Sequence, residues 1–118
     1  MTLRLPKGYV LETEEGTLPE IHHIWRRRPS SLARDVSLAI VAGPLRMTYC
    51  PGGPPHHSSS TPTWKGRWRH CASSIPGVPI REAFLESSPG AIVHLAIIGP
   101  PGPEADSLQT IAESLKVP

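Results

Sequence analysis

The chain has 118 residues and a formal net charge of +2, but the charge is unevenly placed. Residues 21–81 hold nine Lys and Arg against one acid, Asp35, while both ends are acidic. This length bounds the protein to one small domain, and 27 Leu, Ile, Val and Phe beside 37 Pro, Gly and Ser argue against an extensive core.

The opening Met1–Lys7 has no apolar run of signal-peptide length, and nowhere do 18 apolar residues stand together. The expectation is an intracellular protein, nuclear or cytoplasmic, not secreted and without a membrane span. Cys50 and Cys71 then read as two reduced thiols.

Thr17-Leu18-Pro19-Glu20 has the form of a capping box, and Leu18, Ile21 and Trp25 follow at helical spacing. Arg26, Arg27 and Arg28 then suit a helix C-terminus, and Pro29 stops it. The spacing predicts a helix over 18–28. Residues 31–50 fit either a helix from Ser31 to Val41 or a strand in which Val36, Leu38 and Ile40 alternate; length favours the helix. Residues 51–63 are Pro, Gly, Ser, His and Thr and predict a linker.

Ile80, Ala83 and Phe84 predict a short helix over 79–86, and residues 91–98 form the one continuous apolar run, read as a buried strand. Asp106 is placed to cap a helix whose stripe is Leu108, Ile111, Ala112 and Leu115. Gly99-Pro100-Pro101-Gly102 imitates a phosphate loop, but it lacks the following Lys and its prolines lack N–H donors, so it reads as a turn. Three segments result: 1–50 with short helices, a basic linker over 51–78, and a possible helix–strand–helix unit over 79–118. The fold class expected is mostly disordered or irregular, with short α-helices, one apolar strand and at best a small α+β unit in the C-terminal third.

Trp64-Lys65-Gly66-Arg67-Trp68-Arg69 interleaves indoles with cations, the combination that stacks on unpaired bases and neutralises phosphates. With Arg26, Arg27 and Arg28, these residues are the candidate nucleic-acid contact; a solvated basic turn is the plainer reading. Ile75, Pro76, Val78, Pro79 and Arg81 match a polyproline ligand of SH3-type domains, a pattern that proline-rich chains also meet by accident. Arg27-Arg28-Pro29-Ser30 fits a basophilic kinase site at Ser30. Cys50, His56, His57, His70 and Cys71 lack the spacing of a zinc knuckle, so neither metal nor cofactor is expected.

No nucleophile elbow or carboxylate pair suggests catalysis, and the expected protein is not an enzyme. It reads as a small interaction protein whose basic, Trp-containing middle meets nucleic acid or another polyanion. An SH3-bound adaptor and a short or overlapping reading frame without an evolved function are the alternatives.

Overall fold

The computed structural model describes residues 3–14, 20–27, 36–43, 50, 57–58, 67–72, 77–88 and 91–116. They build one antiparallel sheet with a helix on one face, which overturns the expectation of a mostly disordered chain with short helices. The strands are β1 (Tyr9–Glu14), β2 (Glu20–Arg26), β3 (Ser37–Gly43), β4 (His57–Ser58), β5 (Arg67–Ala72), β6 (Pro79–Ser88) and β7 (Ala91–Ile98), followed by helix α1 (Pro103–Glu113). Their order across the sheet is β1-β2-β3-β7-β6-β5-β4. Two meanders, β1 to β3 and β4 to β7, therefore meet where β3 pairs with β7. Strands from all three segments marked off in the sequence share this sheet.

The physical reason for the centre is plain in β3 and β7. Leu38, Ala39, Ile40 and Val41 are all buried, as are Val93 to Ile97, so both faces of these strands are covered. A strand covered on both faces needs a continuous apolar run rather than alternation. Residues 91–98 carry that run and form a strand as expected, whereas 37–43 carry it in a shorter form that also fits a helix.

The helix expected over 18–28 is instead strand β2 where the structure describes it. Ile21 and Trp25 are four apart and mimic a helical stripe, but β2 is hydrogen-bonded on both sides, to β1 and β3. Pairing along both edges outweighs a weak local preference. The short helix expected over 79–86 is likewise the ten-residue strand β6. There Arg81, Ala83 and Leu85 face one way and Ile80, Glu82 and Phe84 the other, a period of two disguised by the buried charge at Glu82. The linker expected over 51–78 contains β4 and β5.

Helix α1 begins three residues before the expected cap. Gly102, at φ 152°, is the N-cap, and Pro103 occupies the first turn, where a missing N–H costs nothing. A side chain at 102 would be strained by that φ, so the glycine is needed there. The predicted stripe holds: Leu108, Ile111, Ala112 and Leu115 are buried with Ala105. They pack on Ile24, Leu38, Ile40, Val93, Leu95, Ile97, Ala83 and Leu85, the inner face of the sheet.

Polar clamps fix the helix over this face. Arg81 Nη1 donates to Asp106 Oδ1 at 2.9 Å and to Gln109 Oε1 at 3.0 Å. Trp68 Nε1 donates to Glu113 Oε1 at 3.1 Å, and the Arg4 N–H donates to Ser114 Oγ at 3.0 Å. Arg81→Ala is expected to lower stability by about 1 kcal/mol, because the Arg81 head is mostly buried but Asp106 is mostly exposed. Urea denaturation checks this; a loss no larger than that of Arg69→Ala would show that the clamp contributes nothing.

On the opposite face Cys50 and Cys71 form a disulfide, where reduced thiols were expected. Cys71 lies on the same face of the sheet as Glu82, and the Cys50 N–H donates to Glu82 Oε1 at 3.0 Å. The other carboxylate oxygen of Glu82 bonds His94 Nε2 at 2.8 Å, and the His94 ring stacks on Phe84 at 4.6 Å. Glu82 and His94 are both fully shielded from solvent. Among the described residues no helix is long and apolar enough to cross a membrane.

Candidate functional site: a cleft at the β1–β2–β3 end of the sheet

Alternation along β2 sends its two adjacent histidines to opposite faces. His23 turns to the outer face, where Nε2 meets Glu14 Oε1 at 3.1 Å. His22 turns to the helix side, between Thr13 of β1 and Ile40 of β3 in register. There its Nδ1 is 2.8 Å from Thr13 Oγ1 and its Nε2 is 2.5 Å from Glu20 Oε1. The result is a hydroxyl–imidazole–carboxylate row whose imidazole and carboxylate line a cleft.

The cleft has a volume of about 420 Å³. Leu3, Leu5, Leu11, Ile40 and Leu115 line it with His22 and Glu20. Ile40 is buried, Leu115 follows the end of α1, and Leu3 and Leu5 come from the N-terminal strap. The Arg4–Ser114 bond holds that strap to the end of the helix. Leu11 is the one large exposed hydrophobic side chain among the described residues, at 50 % exposure. Its position on the cleft's lip gives it a use that a solvent-facing leucine otherwise lacks.

Hydroxyl, imidazole and carboxylate in a row are also the parts of a hydrolytic triad. Here the Glu20 side chain is 60 % exposed. The hydroxyl belongs to a threonine inside strand β1, away from any described helix N-terminus that would stabilise an oxyanion.

The residues singled out in the sequence do not gather here. Trp68 is fully buried between the sheet and α1, so it has no ring face for a base, contrary to the role expected of it. Arg69 lies on the outer face of β5, partly exposed, and Arg67 belongs to β5. Trp64, Lys65, Arg28 and Ser30 lie outside the described residues, as do Ile75 and Pro76. Pro79 opens strand β6 just after Val78, and Arg81 is committed to α1, so this half of the proline motif is strand rather than polyproline helix. The disulfide takes both thiols from the Cys/His group, and among the described residues no three His, Cys, Asp or Glu side chains are grouped to hold a metal.

Sequence reasoning missed His22, Glu20 and Thr13 because it placed Glu20 and His22 on a helix. No alternation marks β2 as a strand, since Glu20, His22 and Ile24 share one face and Ile21, His23 and Trp25 the other, each a mix of polar and apolar residues. No protein-family model matches the chain, and neither the curated proteins nor the solved structures contain a match.

Proposed function

We propose that this chain is a non-enzymatic binding protein whose cleft takes a small ligand with an apolar body. The cleft itself carries this reading: its volume falls in the range of ligand sites, its walls are mostly aliphatic, and its polar groups converge on one side. A nine-heavy-atom probe such as 1-octanol is expected to bind with a Kd on the order of a millimolar. Binding is followed by methyl shifts of the cleft leucines in NMR titration. Leu11→Asp, on the exposed lip, is expected to weaken binding several-fold while leaving the fold intact. Shifts spread over the whole surface, or unaffected by Leu11→Asp, would reject the cleft.

A second reading keeps the expected polyanion contact but moves it. Lys7, Arg26 and Arg27 are exposed together at the opposite end of the β1–β2 hairpin from Glu14 and Glu20. The Arg27 N–H donates to Gly8 O at 2.6 Å, which holds the two basic stretches side by side. Three cations on a single strand give a salt slope of roughly 2. Charge reversal at Arg26 and Arg27 should remove most of that slope, and Arg69→Glu should leave it. Equal effects from the three positions would mean a diffuse field rather than this patch. Nothing among the described residues favours an SH3-type partner. The disulfide argues for surroundings that keep thiols oxidised, against the intracellular setting expected from the sequence.

A further inference from the structure

Resting on the ligand-cleft reading, we propose that the cleft selects a cationic amphiphile: an alkyl or aryl body that carries a protonated amine. The aliphatic walls account for the body. The head group follows from which polar atoms of the wall are already engaged. His22 has both ring nitrogens in hydrogen bonds, one with Thr13 at 2.8 Å and one with Glu20 at 2.5 Å. Its side chain is only 14 % exposed, so the ring serves as the bracket that holds Glu20 in place.

Glu20 is different. It uses Oε1 on His22, and its side chain is 60 % exposed at the cleft's edge, so the carboxylate still faces an incoming group. A carboxylate accepts and never donates, so the partner must be a donor and preferably a cation. The helix adds a contribution of the same sign. Leu115 lines the cleft immediately beyond the C-terminus of α1, where the aligned carbonyls leave partial negative charge, and no basic residue occupies the last turn. Arg4 and Lys116, chain neighbours of cleft residues, are exposed and line no part of it. Amines should therefore be favoured, alcohols accepted and carboxylates excluded.

The test uses three probes with one body: 1-octylamine, 1-octanol and octanoate. Each is titrated against the full chain at about pH 8, where an alkylamine is charged. The amine is expected to bind about five-fold more tightly than the alcohol, the size of a half-exposed ion pair, and octanoate more weakly than either. Glu20→Gln keeps the bracket's shape and should erase the amine's advantage, leaving 1-octanol within about two-fold of its original affinity. Equal affinity for amine and alcohol, or an advantage that survives Glu20→Gln, overturns the head-group assignment while the cleft stands. Failure of all three probes to bind overturns the cleft reading itself.

Discussion

Glu82→Leu is expected to destabilise the fold by about 3–5 kcal/mol, and the double variant Glu82→Leu/His94→Leu by less. The pair lies on the outer face of the two strands β6 and β7, with neither side chain open to water. Glu82 accepts from His94 on one oxygen and from the Cys50 N–H on the other. Removing the carboxylate alone takes this acceptor from the His94 ring and the Cys50 N–H in a dry site, and a buried polar group that loses a hydrogen bond is costly. Removing both side chains spares the cost at the imidazole and leaves apolar groups beside Phe84, Val41 and Ala96, while the Cys50 N–H loses Glu82 in either variant. Against a total of about 5–15 kcal/mol for a domain this size, the single variant should be partly unfolded at modest urea. Urea midpoints of the two singles and the double decide the matter. Losses that simply add would mean that the two side chains do not act as a pair.

The same pair explains why so much of the fold was hidden in the sequence. Glu82 interrupts the alternation of β6, and a charged residue in mid-segment reads as solvent-facing. Its burial depends on His94, twelve residues away on the next strand, and on Cys50, thirty-two away. No local window contains these partners. The strand at 91–98 and the stripe on α1 were legible because each is complete within its own residues. Composition misled for a related reason: the aliphatic residues are few, but they fall on the central strands and on one helix face. The cleft was less legible still. Thr13, His22 and Glu20 meet only after β1 and β2 pair, and Leu3 and Leu115 come from opposite ends of the chain. Trp68 shows the converse error, since an indole among cations reads as a surface feature until the helix above it is seen.

Replacing Cys50 and Cys71 with Ser is expected to lower stability by more than roughly 3 kcal/mol, the loop-closure value for a bridge that spans 21 residues. That chain segment matters beyond its length. The connection from β3 to β4 passes from the centre of the sheet to its far edge, and Cys50 lies within it. The bridge to Cys71 in β5 holds Cys50 on the outer face, where its N–H meets Glu82. Without the bridge this donor is free to leave, and the buried carboxylate loses a partner. The loss should therefore exceed the loop-closure value when Glu82 and His94 are present, and fall back towards it in the Glu82→Leu/His94→Leu background. Urea unfolding of both backgrounds, each with the cysteines and with serines, gives the four numbers needed. An unchanged midpoint on removing the cysteines would mean that the bridge adds nothing to stability. Identical losses in the two backgrounds would mean that the bridge stabilises only by restricting the unfolded chain.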